Sequence, residues 1–152
     1  MTAAFEVASV EDTWAVARDF ARRLKSGDVV CLEGDLGAGK TTFTQGLCAA
    51  LGAGGRVTSP TFCIVREHPL AHPGPAEPPL VVHMDLYRLS GEDDVVDIGW
   101  DEYLSRKAII VVEWPERAGS LIPAAAWHVS FKLAPDSGDE ARTISICRNE
   151  QQ

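Results

Sequence analysis

An α/β fold of three layers, with a mostly parallel central sheet, antiparallel additions and a C-terminal hairpin, is what this sequence of 152 residues predicts. Three observations predict it. Residues 34–41, Gly-Asp-Leu-Gly-Ala-Gly-Lys-Thr, fill the pattern G-x-x-x-x-G-K-[ST] between a short apolar run and a stretch of helical period, the context in which that pattern cradles a polyphosphate. The run 108–112 is the most continuously apolar in the chain, and its length suits a strand buried on both faces. Near the C-terminus, apolar and polar residues alternate on either side of a Pro-Asp-Ser-Gly turn. Together these describe a P-loop NTPase-like domain, and with no internal repeat or linker, 1–152 is expected to be one unit.

Taken in order, Ser9 with Asp12 forms a variant of the capping box, and Trp14, Ala17, Phe20, Ala21 and Leu24 mark one face of a helix closed by Lys25 and Gly27. A short strand over 5–7 leads into it, making a β-α unit placed against the central sheet. The β-branched run 29–32 is the strand that feeds the glycine loop. After the loop, Phe43, Leu47 and Leu51 recur at i, i+4 and i+8, and Gly52 follows as the C′ residue, so the second helix has one apolar face and a defined end. Pro60 sets a bend before a strand over 62–67. Five of the nine prolines lie between 68 and 79 without periodicity, so this stretch reads as the tip of a hairpin whose second arm is 80–88. Residues 91–97 read as an acidic turn with a short helix, and 101–104 as another helical turn, with Trp100 on a surface segment between them. The strand 108–112 ends in Glu113. Trp127, Val129, Phe131 and Leu133 alternate with polar residues, and Ile144 and Ile146 keep the same period, giving the terminal antiparallel hairpin.

The glycine loop has its composition for a reason. Glycines at 34, 37 and 39 let the backbone turn tightly and approach an anion closely, so that successive N–H groups point at it. Lys40, read as an exposed loop side chain, supplies a point charge for the β- and γ-phosphates, Thr41 is placed to ligate Mg²⁺, and Thr42 adds a donor. Such a site also needs an acid at the end of a neighbouring strand, to hold the metal and position water. Asp85 and Glu113 are the two candidates. Most strand-end acids are merely solvated, but two of them beside a phosphate loop favour the functional reading. His83 shares a strand face with Asp85. The four histidines form no H-x-x-x-H array, so no transition-metal site is expected.

A chain of this length can bury roughly 70% of its unfolded surface, enough for one core and not two. The net charge of −8 disfavours a large direct interface with a nucleic-acid backbone, so any role in a nucleic-acid pathway would run through a protein partner. The N-terminus lacks the basic and apolar regions of an export signal and no 18-residue apolar run exists, which points to the cytoplasm and away from membranes. Cys31, Cys48, Cys63 and Cys147 are widely spaced with no C-x-x-C pair, and read as buried thiols.

Four segments in this order, Gly-Asp-Leu-Gly-Ala-Gly-Lys-Thr-Thr (34–42), Ser-Pro-Thr-Phe (59–62), His-Met-Asp-Leu-Tyr-Arg-Leu (83–89) and Val-Glu-Trp-Pro-Glu (112–116), resemble the TsaE (YjeE) family of bacterial P-loop ATPases over most of the chain. The resemblance implies a Mg²⁺-dependent ATPase, weak alone and stimulated by its partners, that serves the formation of threonylcarbamoyladenosine next to the tRNA anticodon. It implies action with the TsaD and TsaB proteins, without transfer of the carbamoyl group by this chain. Carried over by position, Gly37, Ala38, Gly39, Lys40, Thr41 and Thr42 contact phosphates, Thr41 and Glu113 serve Mg²⁺, Asp85 is a second acid, and Ser59 and Thr61 belong to a switch-like segment sensing the γ-phosphate. Adenine would lie between the 10–13 segment, with Thr13, and the C-terminal hairpin. There Asp139 stands where the family often has a basic residue, and Arg142 is close. Trp114, directly after a catalytic candidate, is expected beside the nucleotide mouth facing the partner. Arg88 and Arg117 are the nearest arginines to the site by sequence.

Two further readings remain at this stage. A small-molecule P-loop kinase would share the loop but needs an arginine-bearing lid and an acceptor pocket, for which 152 residues leave little room. A non-catalytic nucleotide-dependent adaptor would need binding alone. A GTPase is disfavoured, because guanine recognition of the N-K-x-D type needs an asparagine and Asn149 is the only one.

Overall fold

Seven strands form one mixed sheet in the computed structural model, which describes residues 2–34, 39–53, 57, 64–71, 73, 78–134 and 141–148. They are β1 (Thr2–Val7), β2 (Val29–Gly34), β3 (Val65–Pro69), β4 (Leu80–Asp85), β5 (Ile109–Glu113), β6 (Trp127–Leu133) and β7 (Arg142–Arg148), in the spatial order β1-β7-β6-β2-β5-β4-β3. The four central strands are parallel, through the pairs β6–β2, β2–β5 and β5–β4. The outer pairs β1–β7, β7–β6 and β4–β3 are antiparallel. Because the central strands share a direction, Gly34, Asp85, Glu113 and Leu133 all end on one edge, the place where open α/β sheets put their ligands.

Helices α1 (Val10–Ala21) and α2 (Lys40–Leu51) pack on one face of the sheet, over Val30, Leu32, Val81, Ile109, Val111, Val129 and Ile144. On the other face, α3 (Glu92–Asp97) and α4 (Trp100–Ser105) cover Cys31, Val82, Met84, Ile110 and Val112. β5 is therefore buried at every position, whereas β6 alternates buried and half-buried from Trp127 to Phe131, since among the described residues no helix covers its second face in the same way. Phe43 of α2 meets Phe131 edge-on at 5.5 Å and Phe20 of α1 at 5.9 Å, which ties both helices to the sheet end that carries the loop. Aromatic pairs of this kind add about 0.5–1.5 kcal/mol each beyond their buried area.

Several expectations are corrected in detail. The leading strand is at the sheet's edge against β7, three positions from β2. The box at the start of α1 closes on Ala8, whose N–H donates to Asp12 Oδ2 at 3.0 Å while Asp12 N–H donates to Ser9 Oγ at 3.1 Å. That helix stops at Ala21, before Lys25, and Trp14 is 38% exposed at the margin of its apolar face. β3 begins at Val65 and runs on to Pro69, with His68 buried opposite Val81, so the loop starts later than the prolines suggest. An edge strand tolerates a terminal proline because its ladder on the outer side is open. Trp100 is 1% exposed and anchors α4 into the second face of the core, contrary to the surface position expected. Its neighbour Gly99, at φ 101°, turns the chain sharply enough to aim the indole inward. Cys31 and Cys48 are buried thiols, each pushed up to about 12 by burial, in Cys31 with help from Glu33. Cys147 is half-buried, and Cys63 lies outside the described residues.

Candidate functional site

The site begins where β2 ends. Gly34 has φ 151°, and a Cβ there would come within 2.7 Å of the Phe131 carbonyl oxygen on β6, so only glycine lets the loop leave between these strands. The chain re-enters at Gly39, left-handed at φ 104°, as the N-cap of α2. Among the described residues no side chain caps that terminus, and no acid lies in its first turn, so its N–H groups and positive dipole end favour an anion. Thr41 and Thr42 are half-buried in this turn. Gly37 and Ala38 lie outside the described residues, as do Ser59, Thr61 and Asp139.

Lys40 is not the exposed loop lysine that its motif suggests. It is 6% exposed, and its Nζ donates to the Gly34 carbonyl at 3.0 Å, lies 3.7 Å from Glu113 Oε1 and sits 5.4 Å from the centre of the Trp114 ring. Glu113 closes β5, 5% exposed, and its other oxygen, Oε2, is 2.7 Å from His83 Nε2. Burial alone would raise this carboxyl, but the hydrogen bond and charge of His83 and the Lys40 ammonium outweigh it and hold Glu113 below its ordinary value. It is therefore a carboxylate at neutral pH.

Asp85 stands beside Glu113 in register, 8% exposed. Its Oδ1 accepts from the Tyr87 N–H at 3.0 Å, an Asx turn that holds the side chain at the strand end, and its own N–H donates to the Ile64 carbonyl at 2.8 Å. Ile64 has φ 66°, a strained geometry for a β-branched residue, immediately before β3. Trp114 is likewise left-handed, at φ 58°. That turn throws its ring back over Lys40 and against Tyr87, with ring centres 4.9 Å apart, while Tyr87 itself is 55% exposed. Leu32, Glu33, Gly34, Lys40, Trp114, Pro115 and Glu116 line a cavity of ≈ 300 Å³ here. A larger groove of ≈ 940 Å³ runs along α1 and α2, lined by Trp14, Arg18, Arg22, Gln45 and Val57 among others.

Residues 7–144 match the family described as "Threonylcarbamoyl adenosine biosynthesis protein TsaE". The chain belongs to the TsaE family. Relatives named "tRNA threonylcarbamoyladenosine biosynthesis protein TsaE" include one from Streptomyces coelicolor, 44% identical over 86% of each chain. Another, from Bacillus subtilis, is 42% identical over 90% of this chain and 79% of its own. The crystal structure of Bacillus subtilis YdiB superposes with a TM-score of 0.75 at 32% identity, covering 97% of this chain and 86% of that one.

Within this TsaE chain the structure brings Lys40, Glu113, Asp85 and Trp114 to one edge of the sheet. Thr13 and Arg142 lie toward the same edge, farther along the sheet, where β6 ends, β7 begins and β1 gives way to α1. Thr13 is buried in the first turn of α1, its hydroxyl donating to the Ser9 carbonyl at 3.3 Å. Arg142 opens β7 opposite Val7 and Leu133, and donates to the Ala141 carbonyl at 2.9 Å. Arg88 is exposed on the turn after β4, and Arg117 is half-buried on the 3-10 turn Pro115–Arg117. The residue that sequence reasoning missed is His83. Its signal was present in the alternation that puts His83 and Asp85 on one face of β4, but only the register of β4 against β5 brings it to Glu113.

Proposed function

We propose that this chain binds and hydrolyses ATP with Mg²⁺, and that its turnover serves tRNA threonylcarbamoyladenosine formation through the TsaD and TsaB proteins. The observation that carries the reading is the pairing of Lys40 with Glu113, 3.7 Å apart, at a helix N-terminus that no side chain caps among the described residues. The lysine that pairs with this internal carboxylate is also, among the described residues, the motif cation at the start of α2, where phosphates would bind. The nucleotide's phosphates would lie against the N–H groups at the start of α2, with Lys40 Nζ on the β- and γ-phosphates. Among the described residues no cluster of three His, Cys, Asp or Glu side chains forms a free-standing metal site. That fits Mg²⁺, which takes one or two carboxylates and completes its shell with phosphates and water. Thr41, Glu113 and Asp85 would hold it, and when bound it would neutralise charge on the β- and γ-phosphates.

Glu113, ionised and fixed at the strand end, would orient the attacking water and accept its proton at the free carboxylate oxygen. Asp85, pinned by the Tyr87 N–H, would hold the opposite side of the site. Tyr87 and Trp114 form an aromatic pair at the mouth, half of it solvent-facing, suited to a protein partner that closes the site and excludes water. The cation held against Glu113 is the lysine of the loop itself, and hydrolysis by the chain alone is expected to be slow until a partner completes the site.

The test is steady-state phosphate release from ATP and Mg²⁺, with and without TsaD and TsaB. Slow release alone and a marked increase with both proteins is the expected result. Equal rates under the two conditions would refute partner-completed catalysis, and absence of ATP binding by calorimetry would refute the nucleotide site itself.

A further inference from the structure

We propose that His83 is the positioning residue for Glu113: donation from Nε2 to Oε2 locks the carboxylate plane and reserves Oε1 for the metal and the attacking water. This deepens the reading of Glu113 given above and rests on it. His83 lies within β4, fully buried, facing the α2 side of the sheet. The parallel register sets Asp85, not His83, directly beside Glu113, so the imidazole reaches its partner obliquely, from Val111's level to the next residue on that face, closing at 2.7 Å. A carboxylate can only accept, so in this contact the proton is on Nε2. Oε1, the second oxygen, is turned toward Lys40 at 3.7 Å. The two oxygens thus have separate tasks, one spent on orientation and one left for chemistry.

A histidine retained for packing alone would be a poor choice at this position. Its Nδ1 is buried without a hydrogen-bond partner among the described residues. A leucine of similar bulk between Val81 and Val111 would fill the space without the orphan Nδ1 but would leave Glu113 Oε2 without its donor, so what the imidazole adds at this position is the bond to Glu113 rather than packing. Its one strong bond goes to the acid at the strand end. Glutamate has three rotatable side-chain bonds, and a donor on one oxygen from a rigid, buried ring removes the last of that freedom before substrate arrives.

The experiment compares wild type with His83→Leu, His83→Gln and His83→Asn. Glutamine places an amide N–H near the position of Nε2, whereas asparagine, one methylene shorter, places it near Nδ1. Four quantities are read: thermal melting, ATP affinity by calorimetry in EDTA, Mn²⁺ affinity of the complex with a non-hydrolysable ATP analogue by electron paramagnetic resonance, and kcat and KM for ATP with TsaD and TsaB present. Metal-free ATP affinity is expected to be unchanged in all three variants. His83→Leu is expected to melt somewhat lower than wild type, because Glu113 Oε2 loses its donor, and to lose about 10- to 100-fold in Mn²⁺ affinity and in kcat with KM little altered. His83→Gln should recover most of both, and His83→Asn should not. Wild-type Mn²⁺ affinity and kcat in His83→Leu would overturn the assignment. Should that variant fail to fold, equal values for His83→Gln and His83→Asn would overturn it instead. If the wild-type protein itself shows no Mn²⁺-dependent nucleotide binding or turnover, the reading of Glu113 fails, and that result is distinct from a failure of His83 alone.

Discussion

Replacing Lys40 with methionine keeps the length of the side chain and removes its charge, and the surroundings of Nζ determine the cost. At 3.7 Å from Glu113, the attraction between the two charges is about 4.5 kcal/mol at an effective dielectric near 20. Part of that is offset by the cost of desolvating both groups, so the loss should fall short of the ~3–5 kcal/mol seen when a buried pair loses one partner, because His83 still binds Glu113. A loss of about 2 kcal/mol corresponds to a fall of roughly 4–8 °C in Tm for a domain of this size. The direction of the Glu113 shift sets the pH dependence. Its folded value lies below the ordinary one of 4.5, so the stability it contributes is complete above about pH 4.5 and is lost as pH falls through the lower folded value. In Lys40→Met the carboxyl moves back up toward its ordinary value, so the acid limb should keep its onset near pH 4.5 but become smaller and end at higher pH. ATP affinity should fall about tenfold to hundredfold, the worth of a charge-assisted contact of ~1.5–3 kcal/mol. Thermal melts from pH 3 to 7 and calorimetric titration with ATP read both effects. Unchanged ATP affinity would refute the phosphate role, and an unmoved acid limb would refute the ion pair.

Other perturbations separate the remaining parts of the site. Glu113→Gln should lower turnover with partners present by at least about 100-fold while ATP still binds, as steady-state kinetics beside calorimetry would show; wild-type turnover would reduce Glu113 to a structural acid. Asp85→Asn should lower turnover less and should raise the Mg²⁺ concentration at half-maximal rate, so an unshifted Mg²⁺ curve would remove it from the metal. Trp114→Ala should leave ATP affinity largely intact and reduce stimulation by TsaD and TsaB; full stimulation would put the docking surface elsewhere. Gly34→Ala forces a Cβ to 2.7 Å from the Phe131 carbonyl, so chemical denaturation should show a loss of about 1–3 kcal/mol, and a wild-type midpoint would mean that β2 and β6 can separate freely there.

Much of this was readable in the chain because the signals were local. The helix over 40–51 announced itself by Phe43, Leu47, Leu51 and Gly52, and the buried strand at 109–113 by its unbroken apolar run. Asp85 and Glu113 could be named as strand-end acids from their place after such runs. What was not local was lost. Trp100 reads as surface because its neighbours are acidic, and only the packing of α4 on the sheet reveals it as core. Pro69 disguises the end of β3, since sequence alone does not say that this strand is an edge. Lys40 looks exposed because the motif records only what it does with a ligand, not what it touches without one. His83 stayed unassigned for the same reason: the 30 residues between it and Glu113 are closed by strand register, which no spacing rule encodes.

On the proposed reading, the resting position of Lys40 makes nucleotide capture an exchange reaction. Before phosphate can engage Nζ, the ammonium must give up the Gly34 carbonyl, the Glu113 carboxylate and the face of Trp114. The affinity for ATP would then be the difference between two sets of partners and would understate the strength of the cradle. Weakening the internal competitor should therefore tighten the external ligand: without metal, Glu113→Gln should bind ATP more strongly than wild type, even as it hydrolyses it more slowly. On that reading the same swap would free Oε1 of Glu113 as ATP arrives, so that the cation recognising substrate would also be the latch keeping the acid occupied until then.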